Sequence, residues 1–124
     1  GKVMQTCISE TCVHGHKAKY HCKICRYETR IHTKYRLNLT EFMNLWEEQD
    51  GRCAGCITPF TLPWERTKHA DHFSREYVCV DHDHLTDEVR GLLCGKCNII
   101  LGKADDRVDI LQNLITYLNT KENG

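Results

Sequence analysis

Apolar positions recur at helical spacing in two stretches of this chain and form short runs or alternations between them. In "NLTEFMNLWEEQDG", residues 38–51, Leu39, Phe42, Leu45 and Trp46 make a stripe along one helical face. Asn38 followed three residues later by Glu41 resembles a capping box, and Gly51 supplies a stop. "YVCVDHDH" (77–84) and "EVRGLLC" (88–94) flank the turn residues "LTD", which predicts two short strands in a hairpin. "KCNIILGKADD" (96–106) opens a short helix. In "DRVDILQNLITYLNTK" (106–121), Val108, Leu111, Ile115 and Leu118 share a face with Ile110 and Leu114 beside them, behind Asp105 or Asp106 as N-cap. That stripe is expected to be core packing. The intervening "ITPFTLPWERTKHADHFSRE" (57–76) holds both prolines and reads as loop. The order is a Cys-rich module, a helix, a cysteine knuckle, a hairpin and two helices, an α+β arrangement.

Composition narrows the class. With 124 residues, 40% hydrophobic and 27% charged, the chain suits one ordinary domain or a small domain with an appendage. No apolar run approaches the roughly 18 residues of a membrane span, and "GKVMQTCISETC" lacks the apolar core of a signal peptide. Nine cysteines admit disulfides or metal. The odd count and the grouping of eight into short pairs favour metal and a reducing compartment.

Cys53-x-x-Cys56 and Cys94-x-x-Cys97 supply four thiolates, enough to close a structural tetrahedral zinc site. A redox CxxC would want a thioredoxin-like βαβ context that is missing. At the N-terminus Cys7, Cys12, Cys22 and Cys25 form a second possible zinc set, with His14, His16 and His21 as competing ligands. Cys79, in the hairpin, reads as a small strand residue rather than a thiol nucleophile.

The remaining chemistry sits in "VDHDH". At a strand end alternation breaks, so Asp81, His82 and His84 can converge, and Asn98 follows directly on Cys97. The zinc site therefore fixes the helix start that carries Asn98, and Asp81 with Asn98 can be aimed at a harder cation, Mg²⁺ or Mn²⁺. A neutral histidine beside such a cation can take a proton from water. The competing reading is a structural Asp/His turn. Net charge is zero, yet residues 17–36 carry seven Lys or Arg against Glu28 alone, interleaved with Tyr20, Tyr27 and Tyr35. Such a stripe suits a phosphate backbone and exposed bases as well as a solvated helical face.

"CAGC", "VDHDH", "VRGLLCGKCN" and "LG", behind "YRLNLTEFMNLWEEQDGRC", resemble the recombination endonuclease VII family of phage and bacterial HNH nucleases over roughly residues 35–118. The resemblance implies a zinc-stapled ββα-metal (HNH) nuclease domain at 37–124 behind a small basic, Cys-rich zinc module at 1–36. It implies Cys53, Cys56, Cys94 and Cys97 as zinc ligands, Asp81 and Asn98 as ligands of the catalytic Mg²⁺, and His82 as general base. His84 matches a motif position concerned with phosphate contact or support of the metal shell. Cleavage of double-stranded or branched DNA to 5′-phosphate and 3′-hydroxyl ends would follow, in the cytoplasm of a bacterium or of a phage-infected cell, with no membrane partner. Two departures stand out. Leu101 replaces the glutamate found three residues after the asparagine in the typical resolvase, and the C-terminal region is short for dimerisation through long helices, so a monomer or weak dimer is expected. Two other readings are a non-catalytic zinc-ribbon DNA-binding module and an RNA-directed nuclease or toxin.

Overall fold

A computed structural model describes residues 22–123. Helix α1 (Lys23–Tyr35) begins behind the extended residue Cys22 and buries Cys25, Tyr27 and Ile31 along one side. Those inward positions, two and four residues apart, are diluted in sequence by the basic residues of the outer face, which hides a helix that periodicity alone does not announce. It closes at Arg36, in the left-handed region at φ 59°, where the Arg36 and Leu37 N–H groups donate back to the His32 and Ile31 carbonyls at 2.9 and 3.5 Å.

Helix α2 (Leu39–Glu48) carries the full capping box. The Glu41 N–H donates to Asn38 Oδ1 at 2.8 Å, and the Asn38 N–H donates to Glu41 Oε1 at 3.0 Å. Glu28 of α1 accepts from the Leu39 N–H at 2.9 Å, so the two helices share a terminus bond as well as a core. Leu39 and Phe42 are fully buried, while Leu45 and Trp46 cover the edge of the same cluster. A short 3-10 turn, Pro63–Glu65, delivers Trp64 from the long loop against Tyr27 and Phe42, with ring centroids 6.1 and 6.5 Å away.

Strands β1 (Val78–His82) and β2 (Val89–Cys94) pair antiparallel with Val80 opposite Leu92, and the register shifts between Asp81 and His82. A two-stranded hairpin is marginal alone. Here Val78, Val80 and Leu92 are buried in one cluster with Tyr27, Ile31, Leu39 and Phe42, each such side chain contributing about 1.5–3 kcal/mol. The Gln49 side chain, at the end of α2, donates to the Leu92 carbonyl and accepts from the Leu92 N–H, both at 2.9 Å. It thereby stands in for a third strand at that point of the β2 edge. The division expected at 36/37 falls between α1 and α2, which share this one core.

β2 runs without a break into α3 (Gly95–Lys103), whose N-cap is Cys94. Helix α4 (Val108–Asn123) follows a turn in which Asp105 and Asp106 both have positive φ, so neither is the N-cap expected of them. The expected burial of its stripe is also overturned. Val108 is 77% exposed and Leu114, Ile115, Tyr117 and Leu118 are each more than half exposed. The reason is geometric: α1 and α2 already fill the core face of the hairpin, and α4 makes no extensive contact with any of them. No helix among the described residues is long and apolar enough to cross a membrane.

Candidate functional site

Two centres meet at the junction of β2 and α3. In the first, Cys53, Cys56, Cys94 and Cys97 place their sulfurs within 4.8 Å of one another. The first pair sits in a tight turn closed by Cys53 N–H to the Thr58 carbonyl and Ile57 N–H to the Cys53 carbonyl, both 3.0 Å. The second pair is the strand end and first turn of α3. Cys56 and Cys94 Sγ lie 3.7 Å apart, matching the edge of about 3.8 Å of a tetrahedron with arms of about 2.3 Å. Backbone N–H groups aim at the sulfurs: Gly55 and Cys94 donate to Cys53 Sγ at 3.3 and 3.2 Å, and Cys97 donates to Cys94 Sγ at 3.3 Å.

Metal-free, these thiols divide. Its contact with Thr58, helped by Arg75, brings Cys56 down to about 5, whereas burial and its sulfur neighbours push Cys97 up to about 12 and burial raises Cys94. Four thiolates in so small a volume need a cation between them. The donor set fits zinc, and the cluster could hold one zinc ion with no position left open.

The second centre is a cavity of about 660 Å³ between α1, β1 and α3. Asp81, His82 and His84 reach it from the hairpin, Asn98 from α3, and Arg30 and Lys34 from α1. Thus all four residues singled out by sequence line one cavity. The bulge between Asp81 and His82 is what allows it, because strict alternation would send neighbours to opposite faces. The His82 ring is flanked by Tyr35 and His84, with centroids at 5.4 and 4.8 Å. Asp83 does something different: its Oδ1 accepts from the Leu85 and Thr86 N–H groups, which closes the hairpin turn and lowers its carboxyl below the usual range. Cys79 also borders the cavity, where burial raises its thiol and so keeps it protonated.

Two members went unread in the sequence. Arg90 faces Asp81 across the bulge and donates from Nε to Oδ2 at 2.8 Å and from Nη2 to Oδ1 at 3.0 Å. Asp81 is the buried charged side chain among the described residues, at 8% exposure, and this two-pronged pair compensates it. Nη2 of Arg90 also reaches Asp106 Oδ1 at 3.4 Å, and His84 Nε2 stands 4.0 Å from Asp106 Oδ2. Asp106, from the loop after α3, thus links Arg90 to His84. An arginine inside an otherwise apolar strand, "VRGLL", was the available signal. Of the N-terminal set, Cys22 and Cys25 are buried at the start of α1, while Cys7, Cys12 and the competing histidines lie outside the described residues.

The donor set of Asp81 and Asn98 is hard oxygen, which fits Mg²⁺ or Mn²⁺. Each Asp81 oxygen accepts one bond from Arg90 and keeps a second lone pair for a cation.

The chain is 40% identical over 93 residues to the Gene 59 protein of Mycobacterium phage D29 and 36% identical over 93 residues to the Gene 59 protein of Mycobacterium phage L5. In both cases the match covers 74% of this chain and 49% of the relative, so the chain spans about half the length of the curated relatives it matches. No solved structure matches it significantly. The family model for recombination endonuclease VII matches residues 28–120, from the middle of α1 through α4 and across both centres, and the chain therefore belongs to the recombination endonuclease VII family.

Proposed function

We propose that this protein is a metal-dependent DNA endonuclease of the HNH, ββα-metal type, in which β1, β2 and α3 form the catalytic unit. The observation that carries the reading is the convergence of Asp81, His82, His84 and Asn98 on one cavity whose rim is cationic through Arg30 and Lys34. Asp81 and Asn98 would hold Mg²⁺ or Mn²⁺. When bound, the cation supplies positive charge to the phosphate and the departing oxygen.

His82 accepts the proton of the attacking water, its ring oriented by Tyr35 and His84. Water oxygen bonds to phosphorus as the bond to the 3′ oxygen breaks, and that oxygen takes a proton from solvent water, leaving 5′-phosphate and 3′-hydroxyl ends. His84 contacts the phosphate or supports the metal shell, and Arg90 holds the Asp81 carboxylate in place through two hydrogen bonds. Zinc in the four-cysteine cluster holds α3, and with it Asn98, against the hairpin. Residues 1–36, whose helix α1 packs into the core of residues 37–124, form a basic module with a second zinc at Cys7, Cys12, Cys22 and Cys25 that grips the DNA backbone. The substrate is double-stranded DNA, branched or linear, cut by a monomer or weak dimer in the bacterial cytoplasm.

A second reading rests on Arg90. A carboxylate with both oxygens bonded to a guanidinium is also what a purely structural Asp81 would show, leaving a non-catalytic zinc-stapled DNA-binding module. Incubation of supercoiled plasmid with wild type and His82→Ala, with Mg²⁺, Mn²⁺ or EDTA, separates the two. Metal-dependent nicking that disappears in a folded His82→Ala variant supports the endonuclease. DNA binding without cleavage by the wild type, under every metal, would establish the binding module instead.

A further inference from the structure

A second cavity, of about 430 Å³, adjoins the first, and Tyr27, Arg30, His72 and Tyr77 border both. Its cations are Lys23, Arg26 and Arg30 of α1 with Arg66 and Lys68 of the long loop, and among the described residues no carboxylate lines it. None of the five takes part in an ion pair among the described residues.

Arg66 is the unusual member. Its guanidinium lies over the Tyr77 ring, Cζ 3.8 Å from the centroid, with Tyr27 at 5.8 Å. Its Nη1 is buried and has no hydrogen-bond partner among the described residues. Glu65, Asp71 and Glu76 border a smaller cavity on its other side, yet none comes within ion-pair distance of it. A stacked, partly buried guanidinium without an anion costs free energy that a phosphate would recover. The exposed residues Lys23, Arg26, Arg30 and Lys34 repeat at three- and four-residue steps, so they form one stripe along α1. It spans about 17 Å, or about five base-pair steps, and leads from the second cavity through Arg30 into the first.

We infer that the second cavity is a phosphodiester subsite for DNA backbone remote from the bond that is cut, with Arg66, stacked on Tyr77, as its principal ligand, Lys23, Arg26 and Lys68 around it, and Arg30 shared between the two cavities. The inference rests on the endonuclease reading for the identity of the first cavity. A guanidinium locked on an aromatic ring selects phosphate by position, not by base, so the subsite sets where the strand lies and leaves sequence preference unaffected.

The test uses the full chain with His82→Ala, which binds without cutting, and duplexes carrying one neutral methylphosphonate moved position by position along each strand. Two separated positions should weaken binding, one at the phosphate that the wild type cleaves and one several nucleotides away. Adding Arg66→Gln should weaken binding to unmodified duplex by about ten- to a hundred-fold and abolish the effect of the remote position only. Because Arg66 also packs on two rings, Lys68→Gln is the companion variant. It lies on the exposed loop and should lower the salt slope of binding by about one. A single sensitive position, or a remote position that persists in folded Arg66→Gln and an unchanged slope in Lys68→Gln, would overturn the subsite. Failure of the wild type to cut plasmid, with the remote position still tied to Arg66, would instead reject the endonuclease reading and leave the subsite standing.

Discussion

At the scale of single residues, the positions that matter most are those where one atom serves several masters. Gly95 is the sharpest case. Its N–H donates to the Ser74 and Tyr77 carbonyls at 3.2 and 3.1 Å, and a Cβ at this position would lie 1.9 Å from the His72 carbonyl oxygen, which is backbone and cannot rotate away. Gly95→Ala should therefore cost at least about 2 kcal/mol through displacement of the 72–74 loop, visible as a lower denaturation midpoint and reduced zinc retention. A midpoint equal to wild type would show that the loop moves freely. That Asp81, His82, His84 and Asn98 would meet at one cavity was legible because a short motif concentrates them. Arg90 and Asp106 were not, since their value comes from a bulge and a left-handed turn that bring remote residues to Asp81 and His84.

At the scale of elements, α2 shows what local pattern carries well: the cap, the stripe and the stop all lie within one stretch and agree. The hairpin was legible for the same reason. Helix α1 was obscured, because Tyr27 and Ile31 are few among many cations, and only packing reveals that they face the core. Gln49 could not be read at all from periodicity. It joins α2 to β2 through two bonds to the Leu92 backbone and a third, at 2.8 Å, to the Arg52 carbonyl. Gln49→Ala leaves those backbone groups without their partner and should lower stability by about 1–3 kcal/mol. Denaturant unfolding measures it, and hydrogen exchange should place the loss at the Leu92 amide. Global loss without faster exchange there would mean that water replaces the side chain.

At the scale of the whole molecule, the small core and the four-cysteine cluster share the work of stability. Cys97→Ser should remove one zinc per chain and unfold the region from Cys53 to α3, as read by metal content and circular dichroism. A folded variant with one zinc fewer would show that the core suffices alone. Helix α4 teaches the opposite lesson. Its period identified an apolar face, but a period cannot say whether any surface remains for that face to cover. Ile115→Gln and Leu118→Gln should change stability by less than about 0.5 kcal/mol in dilute protein, where buried positions of this size would lose several times more; thermal melts decide the matter.

Cys94 is at once the last residue of β2, the cap of α3 and a member of the sulfur cluster. Its partners Cys53 and Cys56 precede it in the chain, and Cys97 follows. During synthesis the first knuckle must wait, half-formed, while the loop and both strands emerge from the ribosome. Only then could four sulfurs surround one ion at the start of α3, the helix that carries Asn98. On the endonuclease reading proposed above, a chain assembled in this order would stay inert for most of its own translation, and closure of the sulfur cluster would set when it becomes competent.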